Sequence, residues 1–64
     1  MNILTAINGA SEVLKKNHIK SAKLDSEILL SKVMKKDRKY IILNSDKELK
    51  NEYLLTFDEL IAKR

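Results

Sequence analysis

The sequence contains no cysteine, a single glycine and a single histidine among its 64 residues. Without cysteine the chain forms neither disulfide bridges nor thiolate metal sites, and one histidine provides no imidazole cluster for a metal. A glycine-rich loop that would cradle a phosphate or a nucleotide is also missing. We therefore expect no cofactor site and no metal site in this stretch of chain.

Long apolar runs are absent as well. No run approaches the roughly 20 apolar residues that span a bilayer. Residues 1–16 lack the charged start and the apolar core of a secretory signal. The sequence predicts a cytoplasmic protein that does not enter a membrane.

What is present is a close alternation of apolar and charged residues, at 44% and 34% of the chain. This balance is typical of a chain that folds, because disordered segments lack the apolar surface that offsets the entropy of ordering. A chain this short buries only about 60% of its unfolded surface and supports one core. We expect a single domain over residues 1–64, stabilised by helix packing alone.

Apolar spacing predicts two long helices in the first half of the chain. The first helix follows an N-cap at Asn2, ends near Lys16, and carries an apolar stripe of Ile3, Ile7, Ala10 and Leu14. The second helix follows a cap at Ser21 and runs from Ala22 to about Lys35. Its apolar residues cover more than one face, which predicts a central helix with neighbours on two sides; they are Leu24, Ile28, Leu29, Leu30, Val33 and Met34.

The second half of the chain is predicted to hold two further helices. Asp37 is the expected cap of a short third helix that carries the apolar residues 40–43. A buried strand is the alternative for this run, but one strand without a partner would leave its backbone groups unpaired. A fourth helix is expected from about Asn51 to Lys63, after a loop at 44–47. The predicted fold class is an all-α bundle of four helices, or five if one is split.

Positive charge is concentrated in the middle of the chain. From residue 15 to residue 39, nine basic residues outnumber three acidic ones, which gives a balance of +6 against −1 in each flanking segment. This pattern is typical of a surface that binds an acidic protein or a nucleic acid, and its residues are Lys15, Lys16, Lys20, Lys23, Lys32, Lys35, Lys36, Arg38 and Lys39. The alternative is an ordinary solvated face, which the excess of lysine over arginine favours, since arginine is the usual bidentate ligand of phosphates.

Asp25 is the polar residue with the clearest structural role in the sequence. It shares a helical stripe with Leu29 and Val33, which places it at the rim of the bundle. A carboxylate in that position needs a partner. Arg38 is the best candidate, so we predict an Asp25–Arg38 pair.

No catalytic constellation is apparent. Ser11 and Ser31 fall within predicted helices with no base nearby, and we expect both to face solvent. His18 lies in a loop without an acidic or nucleophilic neighbour. Gly9 lies within a helix, where we expect it to allow the close approach of a second helix. We predict no catalytic residue.

The stretch from Ile19 to Leu43 resembles the N-terminal domain of the HemK/PrmC family, the methyltransferases that modify the glutamine of class-1 peptide chain release factors. The similarity centres on residues 24–30, LDSEILL, which match the family segment (R/L)-D-A-E-(I/L)-L-L behind a serine cap at Ser21. Arg38 follows at the family's spacing. The likeness extends over nearly the whole chain, because the ending FDELIAKR is similar to the family's last helix.

Two positions depart from the family pattern. Lys35-Lys36 stand where a glycine often ends the second helix, and Lys50 stands where serine or threonine often caps the last helix. Both departures concern the ends of helices.

The resemblance implies that the chain is the N-terminal substrate-recognition domain of a larger enzyme. In the family, a linker joins this domain to a Rossmann-like S-adenosylmethionine domain with a glycine-rich loop and an N-P-P-Y motif, and neither motif occurs here. S-adenosylmethionine is thereby implied for the whole enzyme and not for this domain. The implied partners are a class-1 release factor, docked on the basic region, and the enzyme's own catalytic domain.

Two other classes of protein stay open on the sequence alone. A free-standing nucleic-acid-binding module is favoured by the isoelectric point of about 9.5, but its recognition helix, residues 38–43, would be short and mostly apolar. A helical adaptor would form a stable dimer. Nothing in the helix faces requires one, so we expect a monomer that does not bind nucleic acid.

Overall fold

Four α-helices make up the protein in the computed structural model, which describes residues 1–63. They are α1 (Ile3–Lys16), α2 (Ala22–Met34), α3 (Arg38–Leu43) and α4 (Asn51–Lys63). No strand occurs within residues 1–63, and the apolar run at 40–43 is helical. The all-α prediction is therefore confirmed, and the strand alternative is wrong. Arg64, part of the family-like ending, lies outside the described residues.

α2 is the central helix, as its apolar content predicts. It packs against α1, α3 and α4, while α1 also contacts α4. The predicted stripe of α1 is buried along its whole length, and it meets Leu30 of α2, Ile41 of α3, and Phe57 and Ile61 of α4 in one hydrophobic cluster. These helices join because each buries an apolar face that it cannot cover alone.

The start of α1 is tied to the loop before α4. Asn2 caps the helix through its side chain, which accepts a hydrogen bond from the Thr5 amide at 2.8 Å. The amides of Ile3 and Leu4 donate to the carbonyls of Lys47 and Ser45 at 3.0 and 2.9 Å. The first amides of a helix have no partner within it, so these carbonyls satisfy them and fix the loop across the end of α1.

α1 and α2 both end in left-handed turns formed by residues other than glycine. His18 has a φ of 64° and Lys35 a φ of 56°. After α1, the Ile19 amide donates to the Leu14 carbonyl and the His18 amide to the Lys15 carbonyl, both at 3.0 Å, which is the Schellman arrangement. His18 thus has a conformational role at the helix end.

Replacing His18 by glycine is expected to stabilise the fold. A left-handed conformation strains a residue with a Cβ by about 1 kcal/mol, and part of that gain is offset by the larger entropy of glycine in the unfolded chain. We expect His18→Gly to raise the free energy of unfolding by about 0.5 kcal/mol in urea titrations. Lys15→Gly, within α1, is the matched control and should lower it by about 1 kcal/mol.

Gly9 does not serve helix packing, contrary to the expectation from sequence. A Cβ built at this position meets nothing within 4 Å. The glycine is exposed on the surface of α1, and its φ is not positive. Neither a close helix approach nor the backbone conformation therefore requires glycine here.

Gly9→Ala is accordingly expected to stabilise the isolated 64-residue chain. Alanine lowers the entropy of the unfolded state and favours the helix, which is worth about 0.5 to 1 kcal/mol. A domain of this size should gain about 5 °C in Tm, measured by circular dichroism. A lower Tm would show that the fold itself needs glycine at this position.

Candidate partner-binding surface

α2 is rotated so that it buries polar residues and exposes apolar ones. Ser26, Glu27 and Ser31 are 0%, 8% and 9% exposed, whereas Leu24 and Ile28 are 41% and 37% exposed. The prediction that neighbours cover the apolar residues of α2 on two sides is therefore wrong for Leu24 and Ile28. This rotation determines which side chains the helix presents at the surface.

Serine hydroxyls line the contact between α1 and α2. Ser11 Oγ donates to Ser26 Oγ at 3.4 Å, and Ser26 Oγ donates to the Ala22 carbonyl at 2.7 Å. Ser31 Oγ donates to the Ile28 carbonyl at 2.7 Å. The prediction that Ser11 and Ser31 face solvent is wrong, because each hydroxyl finds a partner locally and the small side chains fit between packed helices.

Arg38 pairs with Glu27. Arg38 Nε lies 3.0 Å from Glu27 Oε1, with 11% of the Glu27 side chain exposed. Asp25 stays at the rim near the start of α2, where its Oδ1 accepts a 3.4 Å hydrogen bond from Ser21 Oγ. The Asp25–Arg38 pair stays a prediction, and Glu27 is the carboxylate observed against Arg38.

Removal of the arginine should destabilise the bundle, because Glu27 then keeps a buried charge without its cation. Since Arg38 itself is about half exposed, we expect Arg38→Ala to cost about 1 to 2 kcal/mol in urea unfolding. Lys39→Ala, on the same helix and exposed, should cost less than about 0.5 kcal/mol. The double variant Arg38→Ala and Glu27→Gln should recover part of the stability lost in Arg38→Ala alone. If the changes in unfolding free energy of the two single variants simply add in the double variant, the pair is contradicted.

The basic residues indicated by the sequence are all exposed, but they form two clusters. The first, which we call the N cluster, surrounds the turn between α1 and α2 and consists of Lys15, Lys16, Lys20 and Lys23. The second, the C cluster, surrounds the turn between α2 and α3 and consists of Lys32, Lys35, Lys36, Arg38 and Lys39. Lys23 and Lys32, the nearest members of the two clusters along α2, are nine residues apart, which corresponds to about 14 Å along the helix axis.

The structure adds two lysines to the surface near the C cluster. Lys36 lines a depression of about 210 Å³ together with Lys47 and Lys50, and the walls include Tyr40 and Tyr53. The Lys36 ammonium group lies 5.3 Å from the centre of the Tyr40 ring, within the range of a cation–π contact. Lys47 and Lys50 were missed from sequence because they are distant from the basic region along the chain, and only the loop fixed across α1 brings them near.

This depression combines several positive charges with aromatic surface. Glu48 also lines it, and its carboxylate pairs with the N-terminal ammonium group at 2.6 Å. The Glu48 side chain is itself 77% exposed, so three lysines and one glutamate of residues 1–63 line the depression and its balance of charge is positive. An acidic protein surface with an apolar centre is the chemistry that such a site accepts.

Metal ligands and membrane spans were also sought in the described part of the chain. Within residues 1–63, no three side chains of His, Cys, Asp or Glu come together as a metal site. Over the same residues, no helix has the length and apolar character needed to cross a membrane.

The fold and this surface define a small all-α domain with a basic, partly aromatic depression. The family model described as the PrmC N-terminal domain matches residues 5–64. The chain belongs to this family, as the resemblance at residues 24–30 indicated.

Two relatives extend the comparison. Over 52 residues the chain is 44% identical to a release factor glutamine methyltransferase of Clostridium botulinum, which covers 81% of the chain and 18% of that protein. Over 63 residues it is 32% identical to a bifunctional methyltransferase of Rickettsia conorii, covering 98% of the chain and 12% of the relative. The chain thus spans less than a fifth of either relative. No solved structure matches it significantly.

Proposed function

We propose that the chain is the release-factor-binding N-terminal domain of a cytoplasmic, S-adenosylmethionine-dependent protein-(glutamine-N5) methyltransferase that acts on class-1 release factors. Membership of the PrmC N-terminal domain family carries this proposal. The name of the Clostridium botulinum relative, a release factor glutamine methyltransferase, supports the substrate class. The small share of each relative that the chain covers supports a larger parent protein with a separate catalytic domain.

In this function the domain binds and orients the substrate. The catalytic domain would hold S-adenosylmethionine, and this chain would contribute no reacting group. Binding of a substrate at a site remote from the reaction raises the local concentration of the target glutamine and limits its orientations. The contribution of the domain therefore lies in affinity and positioning.

The basic clusters and the tyrosine-lined depression are the proposed contact surface. Exposed lysines attract an acidic partner over about 8 to 10 Å in physiological salt, while short-range affinity comes from desolvated aromatic and apolar surface. The depression around Lys36, Lys47 and Lys50 offers both. We therefore place the main contact there, with the lysines of the N cluster steering the approach of the partner.

Charge reversal at the depression should weaken binding to a class-1 release factor. The triple variant Lys36→Glu, Lys47→Glu and Lys50→Glu is expected to raise Kd by about tenfold or more, because it replaces attraction by repulsion at the contact. Isothermal titration calorimetry with the purified release factor measures this change.

The matched control reverses Lys15, Lys16 and Lys20 of the N cluster to glutamate. This variant carries the same change in net charge, and we expect it mainly to slow association, with Kd raised by less than about threefold. Equal losses of affinity in both triple variants would contradict a contact centred on the depression. Failure of the unaltered chain to bind any class-1 release factor would contradict the proposed function itself.

Nucleic-acid binding is the alternative that the net charge of +4 favours. Its structural support is weak, because α3 has six residues, of which Tyr40 to Leu43 are not base-reading side chains. Retention on duplex DNA that falls steeply with salt would support this alternative over release-factor binding.

A further inference from the structure

An open groove runs along the contact between α1 and α4. Its volume is about 300 Å³, and its floor is formed by Ala6, Gly9 and Ala10 of α1. Leu54 and Ile61 of α4 form the facing wall, with Met1, Thr5, Val13, Asp58 and Ala62 around the rim. Val13 is 43% exposed and Met1 is 57% exposed, so apolar surface at the rim is left open to water.

Gly9 leaves this groove without a side chain at one position and lowers the stability of the fold. Glycine within a helix lowers stability by about 0.5 to 1 kcal/mol relative to alanine, and here no neighbouring atom and no positive φ requires it. Gly9 lines the groove beside Ala6 and Ala10, and a Cβ at this position meets open space. An occupant that approaches the α1 backbone closely gives this glycine a physical reason.

The end of α4 indicates where that occupant comes from. Ile61 and Ala62, in the last turn of α4, line the groove, so chain that continues beyond α4 starts beside it. The curated relatives are more than five times as long as the segment that matches this chain, since the matches cover only 18% and 12% of them. A segment tethered next to a groove has a high effective concentration there and needs little intrinsic affinity to stay bound.

We propose that the α1–α4 groove seats an apolar segment of the chain that follows α4 in the full-length methyltransferase, and so fixes this domain against the rest of the enzyme. The inference rests on the proposed function, in which such a full-length protein exists. Among residues 1–63, Asp58 is the one residue with a charged side chain that lines the groove. The seated segment therefore combines apolar side chains with a lysine or arginine placed to meet Asp58.

Such docking assigns the two faces of the domain different tasks. The groove faces the enzyme's own chain, while the tyrosine-lined depression stays free for the release factor. A domain held in this way presents the release factor in a restricted range of orientations, which is the condition for efficient delivery of its glutamine to a distant active site.

Thiol labelling tests the groove directly, because the 64-residue chain contains no cysteine of its own. Gly9→Cys is compatible with the fold, since a Cβ there meets nothing within 4 Å. Asn8→Cys, on the neighbouring exposed position of α1 and outside the groove lining, is the matched control. Each variant is made in the 64-residue chain and in the full-length protein. Alkylation by iodoacetamide is followed by mass spectrometry of the peptide that contains the introduced thiol.

The Gly9→Cys thiol is expected to react at least about tenfold more slowly in the full-length protein than in the isolated chain, because the seated segment shields it. The Asn8→Cys thiol should react equally fast in both. Equal rates for Gly9→Cys in the two proteins would overturn the proposal. If the Gly9→Cys thiol of the isolated chain becomes more protected as the protein concentration rises, the proposal is overturned and a second copy of the chain occupies the groove. If the Gly9→Cys thiol is protected only when release factor is added, the proposal is overturned and the release factor occupies the groove.

Gly9→Leu provides a second readout, because it adds a large side chain at a position that lines the groove. In the isolated chain it should raise Tm, while in the full-length protein it should displace the segment and expose it to proteolysis. A rise in Tm without any change in proteolysis of the full-length protein would contradict the proposal. Titration of the same full-length protein with release factor tests the proposed function separately. Absence of binding would contradict the proposed function, whereas absence of thiol protection would contradict only the docked segment.

Discussion

The contact between Glu27 and Arg38 constrains the whole bundle. Glu27 is the one acidic residue buried among residues 1–63, and its carboxylate accepts from the Arg38 guanidinium at 3.0 Å. A buried carboxylate without a cation is strongly unfavourable, so α2 must present Glu27 to the start of α3. The pair acts together with the other helix contacts that set the rotation of the central helix. In this rotation Ser26 meets α1, and Leu24 and Ile28 face outward.

The same rotation separates the surface into regions of different chemistry. Basic residues are exposed near both ends of α2, in the N cluster and in the C cluster. The C cluster adjoins the depression with its two tyrosines, which suits an acidic protein partner. The groove between α1 and α4 is apolar and carries Asp58 as its charged residue. The two contact surfaces proposed for this small domain thus differ in chemistry.

The positions where glycine occurs and where it is missing show that the stability of the isolated domain does not explain every residue. Two left-handed turns, at His18 and Lys35, lack the glycine that would fit them best, while Gly9 stands in a helix where alanine would be more stable. Selection for the stability of the isolated domain alone favours the opposite arrangement. The position of Gly9 on the floor of an open groove is understandable if contacts outside the domain matter more there.

The sequence by itself determined the helices, their caps at Asn2 and Asp37, and the family, because these depend on local spacing and on short motifs. It also determined that basic residues crowd the middle of the chain. Only the tertiary structure decided that Glu27 pairs with Arg38, that the lysines separate into two clusters, and that Lys47 and Lys50 join Lys36. Those outcomes depend on how each helix is rotated about its axis and on where the loop before α4 is fixed. Both are decided by the sum of many contacts between residues that are far apart in the sequence.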